Sequence, residues 1–244
     1  MSSELRVLPV EGMPEVREGM KVGELIAERT ELEDGDIVVI SQKIVSKAEG
    51  QVRKLSDVAP SERAIELAKK LGKETELVEL VLSESREVLR EERVLITETH
   101  HGFVCANAGI DSSNLREDGT VCLLPEDPDA SARRIRAEIE GRIAVVIADS
   151  FGRAWRLGQA EVAIGCAGLQ PLDDWRGRTD TSGRELSATV IAVADEVAGA
   201  ADLVRQKDSQ VPAAVVRGLS RYVVAEDGPS AAVLRRPPGE DLFR

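Results

Sequence analysis

A mixed α+β fold is predicted for this chain, with helices and strands interleaved but not in strict βαβ alternation. Three observations carry the prediction. Residues 37–40 and 143–148 are continuous apolar runs of the kind that form buried strands. Residues 60–71 and 127–142 are amphipathic stretches with helix-start and helix-stop residues at their ends. The length of 244 residues allows one large domain or two small ones, either able to bury a core.

Along the chain, residues 5–10 read as a strand and 22–29 as a short helix. The turn Glu33-Asp34-Gly35-Asp36 leads into Ile37-Val38-Val39-Ile40. From 60 to about 93 the pattern is helical. Pro60-Ser61-Glu62 opens one helix that stops at Leu71-Gly72, and a second over 74–82 puts Leu77, Leu80 and Val81 on one face. Residues 93–99 and 103–106 are strands. The helix over 127–142 has Pro128 in its first turn and Gly141 near its end. A long Ala/Val-rich helix is expected over 187–206, a strand over 213–216 after Pro212, and 222–225 closes the regular structure. The Gly/Asp-rich segment after 106 suggests two lobes, an N-terminal one over 1–106 and a C-terminal one over 107–244. Arg235-Arg236-Pro237-Pro238-Gly239 reads as a surface tail.

Composition excludes several function classes. With 32 Lys+Arg against 44 Asp+Glu the net charge is −12, which disfavours coating nucleic acid or an anionic membrane. No apolar run approaches a membrane span, and the Met1-Ser2-Ser3-Glu4-Leu5-Arg6 start has no signal-peptide core. Cys105, Cys122 and Cys166 are odd in number and widely spaced, as suits buried thiols in a reducing cytoplasm. Only eight of the basic residues are lysine, so the acidity fits either a salt-adapted cytoplasm or an ordinary acidic protein.

The sequence contains no GxxxxGK[ST], GxGxxG or GxSxG, and Gly165-Cys166-Ala167-Gly168 is too short to count as a phosphate loop. His100 and His101 have no cysteine pair beside them, so any metal is hard and oxygen-ligated, Mg²⁺ or Mn²⁺ before zinc. Asp149 ends the run 143–148 and is followed by Ser150-Phe151-Gly152-Arg153. A carboxylate there lies at the crevice where α/β sheets bind ligands, unless it caps a helix. Asp111, within Asn107-Ala108-Gly109-Ile110-Asp111-Ser112-Ser113-Asn114, is either a second metal carboxylate or an Asx turn. Lys43 and Lys47 are four apart, which brings them to one face of a helix or strand as a phosphate clamp or as a solvated pair. Trp155 and Trp175 stand beside arginines, which suits an anionic pocket or plain packing.

Taken together, the segments 9–12, 41–50, 105–114, 148–165, 179–186 and 211–218 make the chain resemble the coenzyme F-420-0:L-glutamate ligase (F-420-0 gamma-glutamyl ligase) family. The resemblance implies an uncommon α+β fold, a homodimer, and gamma-linked addition of L-glutamate to a deazaflavin precursor. It further implies GTP as co-substrate with Mg²⁺ or Mn²⁺, and often K⁺. It assigns metal binding to Asp111, Asp149 and Ser150, and guanine-nucleotide contact to Met13, Pro14, Glu15, Val16, Gln42, Lys43, Lys47 and Asn114. Gln206 takes a further metal and nucleotide contact, although Val204-Arg205-Gln206-Lys207-Asp208 departs from the Met-Gly-Glu or Met-Gly-Gln of some relatives.

On that resemblance Asp111, Asp149 and Lys47 are the catalytic set, acting through an acyl phosphate. Arg153, Arg156, Arg178 and Arg184 are candidates for the anionic acceptor or the incoming glutamate. Among bases only Asp195 and Glu196 come into view, and a solvated helix face explains them as well. The alternatives are a metal-dependent nucleotide phosphohydrolase and a non-catalytic nucleotide-binding subunit.

Overall fold

The two apolar runs form the centre of a five-stranded sheet. The computed structural model describes residues 4–112, 118–206 and 209–241. In chain order the elements are β1 (Arg6–Pro9), α1 (Val22–Ala27), β2 (Ile37–Ser41), α2 (Gln42–Ala48), β3 (Val52–Lys54), α3 (Glu62–Leu71), α4 (Thr75–Ser83), β4 (Ser85–Glu92), β5 (Val94–Thr99) and β6 (Val104–Ala106). They continue with β7 (Thr120–Cys122), α5 (Pro128–Ala137), β8 (Ala144–Arg153), β9 (Arg156–Ala167), β10 (Asp173–Asp174), β11 (Val190–Ile191), α6 (Val193–Asp202) and β12 (Ala213–Arg217). Helices and strands are mixed, as predicted. Among the described residues, no helix is long and apolar enough to cross a membrane.

The main sheet runs β1-β12-β2-β8-β9, with β2 and β8 parallel and the other pairs antiparallel. It draws strands from both sides of residue 106. The runs are continuously apolar because both faces are covered. On one face Val38, Ile40, Val145 and Ile147 pack with Ile26, Ala132 and Ile135 of α1 and α5. On the other, Ile37, Val39, Val146 and Ala148 pack with Val193, Val197 and Ala201 of α6. The smaller sheets are β4-β5-β6, β3-β7 and β10-β11.

Local chemistry explains the helix ends. Ser61 accepts from the Ala64 N–H and Gly72 closes α3 in the left-handed conformation. Asp127 accepts from the Ala130 N–H, with Pro128 opening α5.

Four expectations are corrected. Residues 85–92 are strand β4, not helix: Ser85-Arg86-Glu87-Val88-Leu89-Arg90-Glu91-Glu92 is rich in helix formers, but pairing with β5 and the Arg86–Glu98 ion pair at 2.9 Å override propensity. The buried residues of α4 are Val78 and Val81, not Leu77 and Leu80. The helix expected over 187–206 is confined to α6, because Val190 and Ile191 pair instead with Asp174 and Asp173. Strand β8 does not end with the apolar run 143–148 but continues to Arg153 in a long hairpin with β9.

Gly165 is a point of close approach. A Cβ there would sit 2.3 Å from the Pro128 carbonyl oxygen, backbone that opens α5 and has little room to yield. Gly165→Ala is expected to cost about 2 kcal/mol by overpacking, read as a lower urea midpoint.

The three cysteines are free and buried. Burial pushes the Cys105 and Cys166 thiols up to about 12 and Cys122 up to about 11. Iodoacetamide at pH 8 is therefore expected to leave all three unmodified in the folded protein and to label them in urea, counted by mass. Rapid labelling of a folded thiol would contradict the packing.

Candidate active site

The site forms where β2 stops and its parallel neighbour β8 continues. Ser41 is the last residue of β2 and pairs with Ala148, so Asp149 is the first β8 residue beyond the parallel ladder. Beyond Ser41 the chain enters α2, which carries Lys43 and Lys47 one turn apart. The β8–β9 register sets Ser150 opposite Glu161.

Asp111 arrives from a separate, locally strained turn. Asn107, Ala108 and Gly109 are left-handed in succession, with φ of 51°, 54° and 72°. The first two cost roughly 1–2 kcal/mol each as non-glycine residues, offset by packing of Ala108 in the core and by Lys73 Nζ donating to Asn107 Oδ1 at 2.9 Å. Asp111 is then locked by two backbone hydrogen bonds to Cys122, at 3.0 and 2.8 Å.

A cleft of about 650 Å³ brings together Met13, Pro14, Glu15, Val16, Gln42, Lys43, Lys47, Asp111, Asp149, Ser150 and Gln206. Of the residues singled out by the resemblance, Asn114 lies outside the described residues. Lys43 pairs with Asp111 at 2.7 Å and Lys47 with Glu15 at 2.8 Å, so both ammonium groups are held within the cleft. The lysines are therefore not a solvated surface pair. Gln42 is buried and accepts from Ser46 Oγ at 2.9 Å.

The Asp149 carboxyl is pushed up to about 7, first by burial and then by the negative charge of Glu161, with Asp111 adding to it. The Ser150 backbone N–H and Lys43 pull the other way. Negative charge is thus undercompensated around Asp149, the condition a bound cation relieves. Among the described residues, no group of three or more His, Cys, Asp or Glu gathers in metal-binding range. The available donors are two carboxylates, a hydroxyl and the Gln206 amide, an all-oxygen set. It suits a hard cation that completes its shell with water and phosphate, and it does not suit zinc.

The structure also brings in residues that the sequence reading missed. Glu161, Asp202, Arg205 and Gln210 line the same cleft. Glu161 accepts from Ser150 Oγ at 2.5 Å and from Arg205 Nη2 at 3.0 Å. A signal was available: Glu161 is a lone acid opening the apolar run 162–167, as Asp149 is a lone acid closing 143–148, and a hairpin brings such positions within one residue of each other.

The other candidates lie elsewhere. None of Arg153, Arg156, Arg178 and Arg184 lines the cleft. Arg153 donates to the Leu157 carbonyl at 2.6 Å, and Arg178 stacks on Trp175 at 4.8 Å. Asp195 accepts from the Ala163 N–H at 2.9 Å, and Glu196 is exposed on α6. His100 and His101 contact the carbonyls of Ser83 and Pro125.

A family model described as F420-0:Gamma-glutamyl ligase matches residues 12–218, a span that contains every cleft residue named above. The chain belongs to the F420-0:gamma-glutamyl ligase family. Among its relatives, the Coenzyme F420:L-glutamate ligase of Archaeoglobus fulgidus is 45% identical, with 98% of this chain and 96% of the relative covered. The protein of the same name from Methanothermobacter thermautotrophicus is 45% identical over 98% and 99%, and that of Methanocaldococcus jannaschii 42% over 93% and 91%. In this member of the gamma-glutamyl ligase family, segments from both ends of the matched span meet at the end of β2.

Proposed function

We propose that this chain is a GTP-dependent ligase that adds L-glutamate through gamma-linked amide bonds to the deazaflavin precursor F-420-0. The convergence of Lys43, Lys47, Asp111 and Asp149 in one cleft carries the reading, joined to near full-length similarity to Coenzyme F420:L-glutamate ligases. A carboxylate is a poor electrophile, and activation is the task such a site must perform. The terminal phosphoryl of GTP passes to the acceptor carboxylate, releasing GDP. The glutamate amine, having lost its proton, attacks the acyl carbon, and phosphate leaves.

Asp111, Asp149, Ser150 and Gln206 would hold the divalent cation. When bound, Mg²⁺ or Mn²⁺ supplies the positive charge that spreads over the transferring phosphoryl. Lys43 and Lys47 contact the phosphates from one face of α2, and Met13, Pro14, Glu15 and Val16 wall the nucleotide side. This is chiefly electrostatic and positioning work. A second copy of the chain fits the exposed hairpin tip, where Trp155 is 82% and Leu157 97% exposed, and a homodimer is part of the proposal.

Mass spectrometry of the product from purified protein, F-420-0, GTP, Mn²⁺, K⁺ and glutamate tests the reading. A ladder in glutamyl steps is expected. GDP release that needs neither glutamate nor the deazaflavin would instead establish a nucleotide phosphohydrolase.

A further inference from the structure

The hairpin register that aligns Asp149 with Val162 aligns Ser150 with Glu161. Ser150 Oγ donates to Glu161 Oε1 at 2.5 Å, and Arg205 Nη2 donates to Glu161 Oε2 at 3.0 Å. The Glu161 and Arg205 side chains are only 7% and 5% exposed, although both line the cleft. Arg205 is steadied by the Pro212 carbonyl at 3.4 Å, at the entry to β12. A buried ion pair gives weak net stabilisation, so its placement against a site hydroxyl calls for another account.

We propose that Glu161 is a positioning residue: held by Arg205, it accepts the hydrogen bond of the Ser150 hydroxyl so that the oxygen's lone pairs, not its hydrogen, face the divalent cation. The proposal rests on the reading that Asp111, Asp149 and Ser150 hold that cation. A serine hydroxyl carries one proton and two lone pairs, and a proton aimed at a cation repels it. An acceptor on the far side fixes the rotor and makes the oxygen a better donor, as outer partners do for other metal ligands. Only a carboxylate does this here. Arg205 is a pure donor, so an amide in place of Glu161 must turn its oxygen to Arg205 and its NH₂ to Ser150. Ser150 must then accept, and its proton swings toward the cleft.

The test is Mn²⁺ binding to the full chain in the presence of GDP, read from the electron paramagnetic resonance signal of free aquo Mn²⁺. Ser150→Ala and Glu161→Gln are each expected to weaken binding by about 10- to 100-fold. The double variant is expected to lose no more than the weaker single, because both remove one contact. If Glu161→Gln does not fold, Glu161→Asp carries the same expectation, since it keeps the charge for Arg205 and withdraws the acceptor by one methylene. Unchanged Mn²⁺ affinity in a folded Glu161 variant overturns the proposal. So does multiplication of the two single losses, which would mark Glu161 as an independent ligand or a purely structural residue. Wild-type protein that binds no Mn²⁺ overturns the metal reading itself, and the proposal with it.

Discussion

Asp149→Asn is expected to reduce glutamyl transfer about a thousandfold or more while leaving the fold intact. The substitution is nearly isosteric and sits on a strand buried up to Ala148, so nothing in the packing must move. What changes is charge: the cleft loses one of its two carboxylates toward a divalent cation. The direction of the stability change separates this account from general damage. In the metal-free protein the folded-state pKa of Asp149 is raised from 3.8 to about 7 by burial, then by Glu161. The stability tied to its protonated form is complete below about pH 4 and is lost as the pH rises through 7. A neutral asparagine escapes that loss. At pH 8 with chelator the variant is therefore expected to unfold at a urea midpoint equal to or above that of wild type, with GDP release from GTP nearly abolished when Mn²⁺ is restored. Undiminished turnover would sink the site assignment, and a lower midpoint would sink the electrostatic argument.

Arg205→Met is expected to cost about 3–5 kcal/mol, because it leaves the Glu161 carboxylate buried without its counter-charge. Urea unfolding reads the loss as a drop in midpoint. The double variant Arg205→Met/Glu161→Gln is expected to regain most of that stability, since no uncompensated charge remains. With Arg205 gone, the amide that replaces Glu161 is free to turn its oxygen to the Ser150 hydroxyl, so the double variant is also expected to recover part of the Mn²⁺ affinity that Glu161→Gln alone loses. An Arg205→Met protein as stable as wild type would show that the pair is not desolvated as the structure has it.

The sheet core and the cleft were legible in the sequence to different extents. Residues 37–40 and 143–148 announce buried strands because strands covered on both faces need no polar alternation. The ends of α3 and α5 are written in Ser61, Gly72, Asp127 and Pro128, whose side chains or conformations act locally. Residues 85–92 misled because their helix formers are exposed charges, and the deciding partner, β5, reveals itself only in three dimensions. The Ala and Val of 187–206 suit either conformation, so the short β10–β11 ladder set where α6 begins. Asp149, Lys43 and Lys47 stood out at the ends of apolar runs. Glu161 and Arg205 did not, since a buried ion pair between residues 44 apart leaves no local pattern.

The strand order has a consequence for how the protein is made. β1 and β2 are the first two strands of the main sheet to leave the ribosome, yet they are not paired with each other; β12, residues 213–217, lies between them. Until that late segment emerges, β1 has no partner in the sheet and one edge of β2 is bare, a strand apolar up to Ser41 with unpaired backbone groups. Nascent chains paused before residue 213 are therefore the aggregation-prone species, with a slow, long-range closing step ahead of them. The same closing step brings Val211 and Pro212 to the cleft, so the candidate site is completed only when the sheet is.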